Sequence, residues 1–204
     1  MNKKDLMEHI KDEIEEHIEI AKLLLDDKEL QSKIFQASLM MVESIKSGGT
    51  IFFCGNGGSA ADAQHMAGEF VCKFYKDREP LPAIALTTDT SILTAVSNDY
   101  SYDHIFSRQV KAIGRKGDVL LGISTSGSSK NVLEAFKTAR QMELKTILLT
   151  GQTEKEIAQF SDIIIKIPST DTPRIQEMHL LIEHIICELV EEAYMKQKNY
   201  KRGV

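Results

Sequence analysis

Cys54-Gly55-Asn56-Gly57-Gly58-Ser59-Ala60-Ala61-Asp62-Ala63-Gln64-His65-Met66-Ala67-Gly68-Glu69 is the stretch on which the reading of this chain turns. An apolar strand, Ile51 to Cys54, enters a turn whose glycines suit close backbone approach, and a helix follows with His65 and Glu69 four residues apart. That spacing puts imidazole and carboxylate on one helical face. Ala67 and Gly68 between them are small enough for a ligand to approach the helix.

Outward from this segment the same rhythm repeats. Ile51 to Cys54, Ala83 to Leu86, Val119 to Ile123, Thr146 to Leu149 and Ile163 to Ile167 are short apolar runs without strict polar alternation, as expected of strands buried on both faces. Helical patterns fall between them at about 62 to 74, 90 to 97, 103 to 113, 129 to 142 and 153 to 160. Five such strands predict an α/β fold, a doubly wound five-stranded parallel sheet flanked by helices. A long last helix runs from about 174 to 196, with Thr172 and Pro173 as its expected cap and first turn.

Two more helices precede the first strand. One places Leu6, Ile10, Ile14, Ile18, Ala21 and Leu25 on a stripe, with His9 and His17 read as solvated side chains among its charges. The other buries Leu30, Ile34, Ala37, Met41 and Ile45 and stops at Gly48-Gly49. Because a crossover needs only one helix, the extra stripe is expected to pack on another subunit. The chain thus reads as one domain over 1–204, with residues 1–49 a helical segment used in oligomerisation and 50–196 the α/β core and last helix.

The charge balance narrows the function. A net charge of −5 with no dense basic stripe excludes a nucleic-acid binder working by bulk electrostatics. No run approaches a membrane span and the N-terminus lacks a signal-peptide pattern. Cys54, Cys72 and Cys187 lie in apolar surroundings and read as buried free thiols of a cytoplasmic protein.

A second loop echoes the first. Ser124-Thr125-Ser126-Gly127-Ser128-Ser129 follows the strand ending at Ile123 and opens a helix near Ser129. Its hydroxyls and the helix N-terminus form a cradle for phosphate without a basic side chain. Neither loop ends as a P-loop or matches the dinucleotide fingerprint, so a phosphorylated sugar fits better than a nucleotide. On the last helix, Gln176, Glu177, His179, Glu183 and His184 sit among apolar residues. Gln176 and His184 are expected to be the buried ones needing partners, and Glu177, His179 and Glu183 to share a wetter face.

Taken in order, Gly55 to His65, Thr87-Thr88-Asp89-Thr90, Ser97-Asn98-Asp99-Tyr100, Ser107-Arg108-Gln109-Val110, Ile123 to Gly127 and Arg174-Ile175-Gln176-Glu177-Met178-His179 resemble the phosphoheptose isomerases. These form a branch of the sugar isomerase, or SIS, domain superfamily. The resemblance implies an aldose-ketose isomerase that converts D-sedoheptulose 7-phosphate to D-glycero-D-manno-heptose 7-phosphate through an enediol, at the start of bacterial heptose biosynthesis for lipopolysaccharide or other surface glycans. It also implies a cytoplasmic homotetramer that binds zinc.

By motif, the zinc ligands would be His65, Glu69, Gln176 and His184, and the acid–base pair Glu69 and His184. Substrate contacts would come from Asn56, Gly57, Gly58, Glu69, Asn98, Asp99, Ser124, Thr125, Ser126, Ser129 and Gln176. Gln176 and His184 are eight residues apart, roughly 12 Å along a helix. Neighbouring subunits are therefore expected to complete each site, with His184 arriving from another chain.

Cys72-Lys73 departs from the Gly-Arg pair frequent in the family, which keeps the charge and loses the guanidinium fork. The tail after Glu192 is longer than usual and reads as a frayed, solvated end. Two other readings stand beside the first: a phosphosugar-binding adaptor without catalysis, as in relatives that act in replication initiation, and an isomerase for another sugar phosphate. The presence of both Glu69 and His184 favours the enzyme.

Overall fold

The computed structural model describes the backbone of residues 3–153 and 155–201, and side chains over 4–153 and 155–196. Two helices, α1 (Lys3–Asp26) and α2 (Lys28–Lys46), lead into strand β1 (Ile51–Gly55) and helix α3 (Gly58–Val71). Then follow β2 (Ala83–Ala85), α4 (Thr90–Asp99), α5 (Ser107–Ile113), β3 (Val119–Ser124), α6 (Lys130–Gln141), β4 (Lys145–Thr150), β5 (Ile163–Lys166) and α7 (Thr172–Lys201). Single 3-10 turns occupy Tyr102–His104 and Glu156–Phe160.

All five strands are parallel, in the order β2-β1-β3-β4-β5. The expected doubly wound sheet is therefore present. Winding reverses between β1 and β3, and this is where an open α/β sheet leaves a crevice beyond its strand ends. The two loops singled out above follow β1 and β3.

The core has two layers, and adjacent residues of β1 divide between them. Phe53 joins the side covered by α1, α2, α3 and α7, whereas Phe52 joins the side covered by α4, α5 and α6. Burying a phenylalanine contributes about 1.5–3 kcal/mol. Every residue of β1 and β3 is buried, while edge strands β2 and β5 are partly exposed.

Several local expectations change. Helix α3 begins at Gly58 and ends at Val71, because Gly57 turns with φ +57° and the chain leaves at Cys72. The pattern at 103 to 113 splits into a 3-10 turn and α5, and that at 153 to 160 shrinks to Glu156–Phe160. Asp171 caps α7 in place of Thr172, since the Asp171 carbonyl accepts from Ile175 N–H at 3.0 Å. Backbone helix is described to Lys201; side chains beyond Lys196 and residues 202–204, on which the expectation of a frayed, solvated end falls, lie outside the described residues.

Helix α1 turns Ile20 and Leu24 inward and leaves Leu6, Ile10, Ile14 and Ile18 each 43–56% exposed. The phase is set by contacts to α7: Arg174 donates to the Glu13 carbonyl, and His17 Nδ1 lies 2.8 Å from Glu177 Oε2. His17 is thus a docking contact and not a merely solvated side chain. Cys54 and Cys187 are buried, but Cys72 is exposed at the end of α3. Burial pushes the Cys54 thiol up to about 12.

Candidate active site

The glycines of the first loop have distinct structural reasons. A Cβ at Gly55 would stand 2.5 Å from the Ser59 carbonyl oxygen, and one at Gly58 would stand 2.6 Å from Gln176 Nε2. Gly57 needs its positive φ. The group that closes on Gly58 is thus the end of a side chain of α7.

Helices α3 and α7 lie side by side, and their contacts advance in the same direction along both. Gln176 meets Gly58, and one stretch further the His184 ring meets His65 edge-on with centroids 5.1 Å apart. His65 Nε2 is also 3.1 Å from Glu69 Oε1. Three of the four implied ligands are therefore gathered by one chain. His184 of the same chain stands beside His65, because the length separating Gln176 from His184 on α7 is matched by the length separating Gly58 from His65 on α3, while Gln176 stays apart from them at Gly58.

Two imidazoles and a carboxylate carried on two packed helices are, by residue type, a donor set of the kind zinc takes. Among the described residues no three histidine, cysteine, aspartate or glutamate side chains already stand in a metal-holding group. His65 instead bonds Glu69, and Gln176 remains at the loop. Phe74, in the segment after α3, packs its ring 5.7 Å from that of His184.

The second loop is organised by its own hydroxyls. Ser124 and Ser129 Oγ lie 2.9 Å apart, and Ser126 and Ser128 Oγ 2.8 Å apart. Gly127 takes φ +63° and donates to the Ser124 carbonyl, while the Thr125 carbonyl accepts from Gly151. Ser129 precedes α6 with no side-chain cap bond of its own. The hydroxyls thus ring the N-terminus of a 12-residue helix.

Asn56 joins the two loops. Its amide and that of Asn131 exchange two hydrogen bonds of 2.8 Å each, and Tyr102 Oη donates to Asn56 Oδ1 at 2.8 Å. Asn131 and Tyr102 escaped the sequence reading because nothing local distinguishes an asparagine in a first helical turn or a tyrosine in a loop. Asn98 donates to Asp99 at the end of α4, and both are exposed; no hydrogen bond among the described residues ties them to the other site residues. Lys73 is also exposed.

The polar residues of α7 are distributed in the opposite sense to that expected. His179 and Glu183 are buried, while Gln176 and His184 are half-buried. Ile175, Met178, His179, Ile182, Glu183 and Ile186 form the inward stripe, and Gln176 and His184 flank it. Neither His179 nitrogen and neither Glu183 oxygen has a hydrogen-bond partner. Burial lowers His179 to about 4, opposed by the Thr150 backbone, and raises Glu183 to about 8, helped by the nearby Asp62 carboxylate. Asp62 is raised by burial too, with His65 opposing.

Other motif residues prove structural. Asp89 caps α4 through Ile92 N–H at 2.9 Å, and buried Gln109 donates to the Leu86 and Ile105 carbonyls. They hold loops near the crevice without entering it.

A parallel sheet reversing beside a serine cradle defines a SIS-domain protein, and the family model described as SIS domain matches residues 18–151. The chain is 50% identical to a phosphoheptose isomerase of Aneurinibacillus thermoaerophilus, over 94% of its own length and 96% of the relative's. It is 52% identical to phosphoheptose isomerase 2 of Campylobacter jejuni, over 92% and 94%. A solved phosphoheptose isomerase from Neisseria gonorrhoeae is 43% identical with a TM-score of 0.86, covering 92% of this chain and 99% of that one. This chain belongs to the phosphoheptose isomerase family.

Proposed function

We propose that the chain interconverts D-sedoheptulose 7-phosphate and D-glycero-D-manno-heptose 7-phosphate, supplying heptose for bacterial surface glycans. The observation that carries this reading is the junction of α3 and α7, where His65 touches both Glu69 and His184 beside the crevice of the sheet.

Going from ketose to aldose, a proton leaves C1, its electron pair forms the C1–C2 double bond, and the C2 carbonyl oxygen gains a proton. The resulting enediol returns a proton to C2 as O1 loses its own and the C1 carbonyl forms. Two positioned acid–base groups suffice for these transfers, and Glu69 and His184 take the roles. The hydroxyls of Ser124, Thr125, Ser126 and Ser129 hold the phosphate at the start of α6. Asn56, Gly57, Gly58 and Gln176 line the sugar's entry, with Asn98 and Asp99 assigned to its outer hydroxyls.

His65, Glu69 and His184 would hold zinc, with Gln176 as the fourth donor that the resemblance implies. Bound there, the ion would supply Lewis-acid stabilisation of the enediolate oxygens.

The exposed stripe of Leu6, Ile10, Ile14 and Ile18 supports self-association, which we assign as a homotetramer. No described helix is long and apolar enough to cross a membrane. Three free thiols, one of them exposed, suit the reducing cytoplasm.

An assay with sedoheptulose 7-phosphate tests the reading. Turnover is expected from wild type and a loss of at least about 100-fold in Glu69→Gln and in His184→Ala. No turnover with or without added zinc overturns it, and preference for a pentose or hexose phosphate in a panel of ketose phosphates reassigns the substrate. Zinc should raise the melting temperature of wild type and not of His65→Ala.

A further inference from the structure

Between α3 and the far end of α7 lies a charge pair that the proposed chemistry does not use. Glu191 is 2% and Arg78 3% exposed at the side chain, with Glu191 Oε1 3.0 Å from Arg78 Nε. The same carboxylate accepts three successive backbone N–H groups, from Phe74 at 3.0 Å and from Tyr75 and Lys76 at 2.8 Å. All its strong acceptor directions are filled. The rest of the guanidinium turns the other way: Nη2 donates to the Glu69 carbonyl and Nη1 to that of Phe70, both at 2.8 Å.

Those two carbonyls belong to the last turn of α3, where a helix has no N–H groups of its own to offer. Arg78 therefore fixes the backbone of Glu69 itself. Glu191 lies seven residues, two turns, beyond His184 on α7. One unit thus grips the helix that carries Glu69, the helix that carries His184, and the segment whose Phe74 ring rests against His184.

The geometry points to Arg78 and Glu191 as positioning residues that set the register of α3 against α7, and so the placing of Glu69, His184 and Phe74 for proton transfer. This inference rests on the isomerase reading above. A shift of about 1 Å between reacting groups can cost on the order of 100-fold in rate, so a loosened grip should lower kcat and leave substrate affinity nearly intact.

Arg78→Lys keeps the charge and loses the fork. It should lower kcat at least tenfold with KM within about threefold, and Glu191→Gln should do likewise. Phe136→Leu, in the core layer on the opposite face of the sheet, serves as a control of comparable loss in melting temperature and should keep kcat within twofold. The Phe74 ring beside His184 should displace the His184 ring resonance in wild type, and in Arg78→Lys that resonance should move towards its position in Phe74→Leu.

A folded Arg78→Lys with wild-type kcat overturns the inference. So does a loss of kcat no larger than the control's at equal melting temperature, or a His184 resonance unchanged from wild type. Should Glu191→Gln fail to fold, Arg78→Lys decides alone. Should wild type itself show no turnover, the isomerase reading fails and the resonance still decides the positioning claim.

Discussion

Glu183 and Glu191 stand eight residues apart on one helix, are 1% and 2% exposed, and have opposite chemistry. Glu191 meets three backbone N–H groups and Arg78; burial pushes it up, but these donors outweigh it and hold it below the ordinary carboxylate range. Glu183 meets no donor and the repulsion of Asp62, so burial raises it to about 8. Both are closed to solvent, although Glu183 is the more deeply packed of the two. What separates a structural anchor from a neutral buried acid is whether another part of the chain brings N–H groups to it.

The comparison breaks most severely at the anchor. Glu191→Ala would leave Arg78 and three N–H groups buried without an acceptor, and should destabilise the protein by about 3–5 kcal/mol. For a chain of this size that is about 10 °C in melting temperature, read by calorimetry. Because Glu191 is depressed, its contribution is present above the ordinary value of 4.5 and is lost as pH falls through its folded value. The difference between wild type and Glu191→Ala should therefore narrow in acid.

Glu183 titrates in the opposite sense. Its raised value makes its contribution complete below 4.5 and progressively lost as pH rises to about 8. His179, lowered from 6.5 to about 4, contributes fully above 6.5 and loses this as pH falls to about 4. Between 4.5 and 6.5 the two slopes cancel, leaving a plateau. From 6.5 to 8 only Glu183 acts, a fall of about 2 kcal/mol for one proton over that window. Glu183→Gln should abolish this fall, so urea midpoints at pH 6.5 and 8.5 that still differ as in wild type would refute the assignment.

His179→Leu should remove the opposing slope and turn the plateau between 4.5 and 6.5 into a steady decline with rising pH. Asp62→Asn should have the smallest effect. Removing its repulsion lets Glu183 ionise at lower pH, so the decline should end earlier, as followed by the same midpoints.

Much of the fold was legible because its signals are local. The strands and the stripe of Leu30, Ile34, Ala37, Met41 and Ile45 follow from periodicity, and the turn at Gly55–Gly58 from residues that tolerate close approach and positive φ. The two loops follow β1 and β3 as read, while the strand order that sets them at the reversal of the sheet came from the structure. Helix α7 was misread where periodicity is weakest. It is apolar around most of its circumference, so its sequence leaves the phase open. The contacts of α3 chose it, burying His179 and Glu183 and leaving His184 at the rim.

The site was only half legible for the same reason. His65 and Glu69 are four residues apart and declare each other, whereas Asn56 and Asn131 are 75 residues apart and Arg78 and Glu191 are 113 apart. No short-range pattern marks such pairs.

By itself, the sequence determined the parallel α/β class, the place of the serine-rich loop after the third strand, the His65–Glu69 face and the family. Tertiary structure alone decided that His184 reaches His65 within one chain, that Gly58 makes room for Gln176, and that one of two solvent-shielded glutamates is satisfied. Backbone preferences act over a few residues. The partner of a buried polar group depends on how two distant elements slide and rotate against each other, and that register is fixed only when the whole core packs.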